Sequence, residues 1–240
     1  MNKTYAFTDL HGMYNLWAQI RDYCDESDTL IFLGDACDRG DDGIKIIYEL
    51  LQDPRVKYLK GNHEDILAMV GAEIYEGRYG GIPDWQMNGG APTISKFEKM
   101  HPMSQEQLIR KMNNLPTSMW YTNTKGQEIF LCHAGTQIEY SERELQLRGR
   151  GSDPYLWDRK HIRFDWPLAA EYQNKYVVHG HTPVQCLGWD KEEIYVYADD
   201  HKFDLDLGSF MSCKIALFDL DTLEVAKYFY DEKTFKETCI

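Results

Sequence analysis

Positive charge is scarce in this chain: 26 lysines and arginines stand against 39 aspartates and glutamates, a formal net charge of −13 at pH 7. Such an excess repels phosphate backbones and anionic lipid heads, which argues against a general nucleic-acid or membrane-surface binder. Any phosphate-handling site must create its own local positive field. Long apolar runs are also missing, since no window approaches the roughly eighteen consecutive apolar residues of a membrane span. The opening MNKTYAFTDL passes from polar residues into a strand-like run without a signal-type apolar region, so a cytoplasmic protein is expected. The six cysteines (Cys24, Cys37, Cys132, Cys186, Cys213 and Cys239) are scattered singly, with no CxxC pair. That spacing suits neither a disulfide framework nor a zinc knuckle, and predicts free thiols, most of them buried. Repeats, low-complexity tracts and linkers are absent, so residues 1–240 read as a single domain. What is present is apolar mass: 43% hydrophobic and 13% aromatic residues, enough for a core and outside the disordered range.

The first seventy residues alternate strand and helix patterns. Tyr5–Thr8, Thr29–Leu33 and Val56–Leu59 are short apolar runs. Between and after them Leu16, Trp17 and Ile20, then Ile44, Ile47 and Leu50, then Glu64–Ile74 carry helical spacing. Alternation of this kind predicts βαβ units with a parallel sheet, whose ligand sites lie beyond the strand C-termini. Residues 77–116 change character to a Gly- and Trp-rich loop and a capping signal at Ser104-x-x-Gln107, read as a helical insert bordering the site. From Ser118 onward the pattern is strand-rich, with runs at 118–123, 128–132, 175–178, 193–197, 214–218 and 223–230. These are expected to form a second, mixed sheet. The fold class is therefore α/β: a four-layer αββα sandwich of two mixed β-sheets flanked by helices, with the small insert around 77–116.

Five polar clusters fall in loops, four of them directly after an expected strand: Asp9-Leu-His11-Gly12, Gly34-Asp35-Ala-Cys-Asp38-Arg39-Gly40, Gly61-Asn62-His63-Glu64, His133-Ala-Gly135 and His179-Gly180-His181-Thr182. Carboxylate, imidazole and amide donors without thiolates suit a pair of divalent transition ions rather than structural zinc. The set divides into Asp9, His11 and Asp35 around one ion and Asp35, Asn62, His133 and His181 around the other, with Asp35 bridging. Manganese is the first expectation, and iron, zinc and cobalt tolerate the same donors. The i, i+2 spacing of Asp9 and His11 would, in extended backbone, point both side chains the same way. Two dications against two carboxylates leave a local positive charge that can take a phosphate dianion.

Together with Trp157-Asp-Arg159, Gly180-His181-Thr182-Pro183 and Asp206-Leu-Gly208, these motifs resemble the calcineurin-like metallophosphoesterases. The likeness is to the phosphoprotein phosphatase branch that holds the bacteriophage lambda and bacterial serine/threonine protein phosphatases. The resemblance implies hydrolysis of phosphate esters by in-line attack of a metal-bridging hydroxide. It implies that Arg39, Arg159 and Asn62 bind the phosphoryl oxygens, and that His63, supported by Asp38, protonates the leaving oxygen. A serine/threonine protein phosphatase is the leading expectation, acting on a phosphorylated protein or a small phosphoester. A dinucleoside (diadenosine) tetraphosphate hydrolase is the alternative, for which Trp85, Trp120, Tyr155 and Trp157 are available to stack on a base. A catalytically silent binding module on the same scaffold ranks lower, because no ligand position and no acid is lost.

Pro183 stands where many diesterases of the wider superfamily carry a further histidine, which favours the phosphatase and tetraphosphatase branches. His179 is held outside the ligand set as a supporting partner, placed on one strand face with His181. His101, His161 and His201 read as ordinary surface or core histidines. Cys37 reads as packing and Cys132 as facing the core. The Trp85–Gly90 loop reads as a wall of the substrate groove.

Overall fold

The computed structural model describes residues 2–136, 153–159, 162, 172, 174–189, 193–197 and 201–231. His161 and Cys239, and the expectations attached to them, lie outside the described residues.

Among the described residues, ten strands form two mixed five-stranded sheets flanked by helices. The first sheet has the order β10-β9-β1-β2-β3 and the second β4-β5-β6-β8-β7. In the first, β1 (Thr4–Phe7), β2 (Thr29–Phe32) and β3 (Val56–Tyr58) run parallel, connected by α1 (Tyr14–Tyr23) and α2 (Gly43–Gln52). β1 and β2 alternate between two buried faces, as central parallel strands do, while β3 at the sheet edge leaves Lys57 exposed. Phe7, Leu30 and Phe32 join Trp17, Ile20, Ile46 and Leu50 in the core beneath the helices. Ala6, Ile31 and Leu33 meet Ile129, Leu131 and Val178 in the core between the sheets. Burying one such side chain stabilises the fold by about 1.5–3 kcal/mol, so these two apolar layers hold the sandwich together.

α3 (Asn62–Tyr75) follows β3 directly, and the insert is helical as expected: α4 (Ile82–Met87), α5 (Ala91–Phe97) and α6 (Pro102–Asn113). The last of these starts earlier than the Ser104 signal, with Pro102 in its first turn and His101 accepting from the Met103 amide.

The second sheet holds β4 (Ser118–Thr122), β5 (Glu128–Cys132), β6 (Tyr176–His179), β7 (Tyr195–Tyr197) and β8 (Lys202–Asp204). β8 lies parallel to β6, and β7 is antiparallel on its far side. β7 falls within the expected run 193–197, whereas β8, three residues long, escapes the sequence pattern because it alternates too briefly to register. A larger correction concerns β9 (Lys214–Asp219) and β10 (Glu224–Tyr230). Both were assigned to the second sheet, and both belong to the first, β9 pairing antiparallel with β1 through Tyr5↔Asp219 and Ala6↔Phe218. Phe218 fills the space between the sheets and Leu217 the space beneath the helices, so the strand is as deeply buried as its parallel neighbours.

Among the described residues five cysteines are free, four buried and Cys186 exposed. No helix among them is long and apolar enough to cross a membrane.

Candidate metal centre

The C-terminal ends of β1, β2, β3, β5 and β6 open into one place, and the loops that follow carry the polar clusters. Backbone bonds draw those loops together. Asp9 N–H donates to Gly34 O at 3.0 Å, His11 N–H to Asp35 O at 2.9 Å, and Gly180 N–H to His133 O at 2.7 Å. The close approach requires glycine at Gly180, where a β-carbon would lie 2.3 Å from Asp9 Oδ2.

Asp9, His11, Asp35, Asp38, Arg39 and His181 all have positive φ, between 43° and 71°. Side-chain-bearing residues seldom take this left-handed region, and such strain gathers at functional sites. It overturns the extended-backbone argument for Asp9 and His11. Their side chains converge because each turns back sharply, not because a strand aligns them. Nor do His179 and His181 share a strand face, since β6 ends at His179 and His181 lies in the turn beyond it.

Asp35 is central. Its Oδ1 accepts from the His63 amide at 3.0 Å. Its Oδ2 lies 3.4 Å from His133 Nε2, 3.6 Å from His11 Nε2 and 3.7 Å from His63 Nε2. Two groups of donors meet through it: His11, Asp35 and His63, and Asp35, His133 and His181. Asp9 stands beside the first group. Its Oδ2 accepts from Thr8 Oγ1 and the His181 amide, while Oδ1, 3.5 Å from His11 Nε2, is buried with no hydrogen-bond partner. Imidazole orientation is fixed from behind, His11 Nδ1 donating to Cys37 O and His133 Nδ1 to Leu33 O. With those protons committed, His133 Nε2 faces two acceptors, Asn62 Oδ1 at 2.9 Å and Asp35 Oδ2. A second proton or a cation must satisfy that convergence. The donor set and the orphaned Asp9 oxygen thus fit divalent metal, and His63, expected as the acid, stands within the first donor group.

The charges are strongly coupled. Burial acts to raise the Asp35 carboxyl, yet the neighbouring imidazoles of His133, His63 and His11 hold it well below the usual carboxylate range. Burial lowers His11 despite its contact with Asp9, and burial together with His133 and Arg159 holds His181 well below the ordinary histidine value, so both favour the neutral ring with Nε2 as an acceptor. His133 goes the other way: burial opposes its proton, but the negative charges of Asp35 and Asp9 push it up to about 9.

His63 forms a dyad with Asp38, Nδ1 to Oδ2 at 2.6 Å, both buried. Burial works against its proton, while Asp35 and Asp38 raise it above the ordinary value. The same Asp38 oxygen accepts from Trp85 Nε1 at 2.8 Å. Trp85 is fully buried and braces the dyad from behind through that bond. Arg39 reaches in with Nη1 on His11 Nε2 and Nη2 3.5 Å from His63 Nε2, its guanidinium 4.2 Å from the Phe210 ring. Arg159 donates to His181 Nε2 at 3.1 Å and to His181 O at 3.3 Å. Both arginines therefore border the donor set.

Glu64 was given no role from the sequence. Its buried carboxylate accepts from the amides of Asp35, Ala36 and Gly61 and from Tyr58 Oη, at 2.7 to 2.8 Å. Its place three residues after Gly61 carries only half of a capping-box signal, because glycine has no side chain to return the bond. Trp85 has no such local signal, since it meets Asp38 across 47 residues. His179 bonds Tyr197 Oη at 2.7 Å and stands 4.0 Å from Asp204, on the second-sheet side, without joining either donor group.

The calcineurin-like phosphoesterase family model matches residues 3–207, and this chain belongs to that family. It is 27% identical over 201 residues to the bis(5'-nucleosyl)-tetraphosphatase PrpE (asymmetrical) of Bacillus velezensis, covering 74% of this chain and 76% of that protein. To the protein of the same name from Bacillus subtilis strain 168 it is 30% identical over 173 residues, covering 67% of this chain and 66% of the relative. In fold it is similar to a cold-active protein-tyrosine phosphatase of a psychrophilic Shewanella, with TM-score 0.60, 14% identity, and 94% of this chain and 77% of that one covered. A Saccharomyces cerevisiae protein serine/threonine phosphatase with similarity to human PP5 aligns with TM-score 0.56 and 10% identity, over 97% of this chain and 81% of that one.

Proposed function

We propose that this phosphoesterase hydrolyses dinucleoside polyphosphates at a two-metal centre built by Asp9, His11, Asp35, Asn62, His133 and His181. The observation that carries the centre is Asp35, one buried carboxylate oxygen within 3.7 Å of three imidazole nitrogens, beside an Asp9 oxygen with no hydrogen-bond partner. The substrate class rests on relatives at 27% and 30% identity that are tetraphosphatases. The phosphatases of similar fold, at 10% to 14% identity, bear on the fold alone. The dinucleotide reading therefore takes precedence over the serine/threonine phosphatase reading.

When bound, the divalent pair supplies Lewis acidity that offsets phosphoryl charge and makes water a nucleophile at neutral pH. The chain does the rest. Arg39 and Arg159 present forked donors at the two edges of the donor set and orient phosphoryl oxygens. Asn62 adds an amide without adding charge. His63, its Nδ1 proton held by Asp38 and its Nε2 directed to the centre, gives a proton to the departing oxygen. Burial of the dyad excludes water that would otherwise compete for that proton.

An assay panel on metal-stripped, manganese-reloaded protein tests the reading, with a bis(5'-nucleosyl) tetraphosphate, a serine phosphopeptide, a tyrosine phosphopeptide and p-nitrophenyl phosphate as substrates. The dinucleotide is expected to lead in kcat/KM by about a hundredfold, a difference of roughly 2.7 kcal/mol in transition-state binding. A phosphopeptide in first place would overturn it.

A further inference from the structure

Beside the centre lies a cavity of about 630 Å³ between α3, α4 and the short helix α7 (Pro154–Trp157). Its size falls within the range of about 300–1,000 Å³ of small-molecule sites. It is lined by Ile66, Met69 and Val70 of α3, by the indole of Trp157, and by the carboxylates of Glu73 and Asp84. Among the described residues, no lysine or arginine lines it. The carboxylates repel phosphate and accept from hydroxyl and amino groups, while the aliphatic side chains and the indole suit a flat, uncharged ring.

Two residues join this cavity to the centre. Trp85 lines it and donates to Asp38, the partner of His63. Trp157 lines it and sets its ring edge-on to His181, centroids 6.2 Å apart. The charges sort along the same line, with Arg39 and Arg159 at the donor set and carboxylates in the cavity.

We infer that this cavity seats the nucleoside of a bound nucleotide, the base against Trp157 and the α3 side chains and the ribose hydroxyls toward the carboxylates, while the phosphates lie at the centre. The inference rests on the dinucleotide reading and gives that substrate a place. Trp120 and Tyr155 do not share it, for they pack with Phe130 in the aromatic cluster on the second sheet.

Titration calorimetry of the manganese-loaded protein with AMP and with ribose 5-phosphate isolates the base, because the two carry the same charge. AMP should bind about ten- to a hundredfold more tightly, the gain that stacking on an aromatic side chain supplies. Met69→Arg, at a position 39% exposed on α3, fills the cavity and should bring the ratio to about one while leaving p-nitrophenyl phosphate turnover unchanged. Asp84→Arg, on the exposed side of α4, gives the same reading from a second element and covers a failure of the first variant to fold. Equal affinity in the unsubstituted protein, or a ratio that survives both substitutions, would overturn the cavity assignment. A high ratio in a protein that does not cleave the dinucleotide would overturn the substrate reading and leave the nucleotide site standing.

Discussion

The two halves of the centre are built differently. The first sheet supplies Asp9, His11, Asp35, Asn62 and His63 from three consecutive strand-to-helix turns, and these are tied to each other. The Glu64 carboxylate spans the Asp35 and Gly61 loops, and Asp35 Oδ1 holds the amide at the start of α3. The second sheet supplies His133 and His181 from the ends of two adjacent parallel strands, and both lean on the first. His133 Nδ1 donates to Leu33 O, and the His181 amide to Asp9 Oδ2. One half carries its own frame, and the other is oriented by contacts across the interface between the sheets. Damage to the first should therefore spread to the second, and damage confined to the second should leave the first in place.

The largest effect is expected from Asp35→Asn, which removes the charge shared by both donor groups. Turnover should fall by about 10³-fold or more, the scale of losing electrostatic stabilisation of the transition state, and metal analysis should show the pair reduced. His181→Asn is the comparison. If it strips both ions as completely as Asp35→Asn does, the two halves are equally dependent and the asymmetry is wrong. His63→Asn should lower turnover by about 10² to 10⁴-fold with metal content intact; turnover at the original level would remove His63 from the reaction.

Glu64→Gln comes next. The amide replaces one acceptor oxygen by a donor facing backbone N–H groups, so denaturant unfolding should show a loss of about 2–4 kcal/mol. Because the loops it spans hold both Asp35 and Gly61, metal affinity should fall too, and a variant with unchanged metal affinity would refute the frame assigned to the first half. The smallest effect belongs to Trp85→Phe. Loss of one bond to the Asp38 carboxylate should cost about tenfold in turnover of esters with poor leaving groups. Hydrolysis of p-nitrophenyl phosphate, whose leaving group needs little protonation, should change less than twofold on the same reasoning. Equal losses on both substrates would point to a packing defect instead of a displaced dyad.

The strand-end positions of the candidate donors are legible in the sequence, because strand and helix periodicity marks where strands end, and in parallel sheets the residues just beyond those ends face one crevice. Asp9, Asp35, Asn62, His133 and His181 each sit at such a position. Glu64 carried only half of a capping signal, and its carboxylate turns into the loops, which motif reading does not register. The nucleoside cavity was half visible, as a list of four aromatic residues that nothing in the chain ranks. Packing separates them, sending Trp120 and Tyr155 to the outer face of the second sheet and Trp85 and Trp157 to the cavity.

By itself, the order of residues determined the element types, the polar loops at the strand ends, the donor chemistry and the acidic balance, since each depends on neighbours a few positions away. Tertiary structure alone decided that β9 and β10 join the first sheet, that six site residues take left-handed backbone, and that Trp85 braces Asp38 across 47 residues. Local periodicity reports how an element is buried and not against which partner. Partners are chosen by the fit of whole apolar faces, and the strain at the strand ends is held in place by the cores that fit creates.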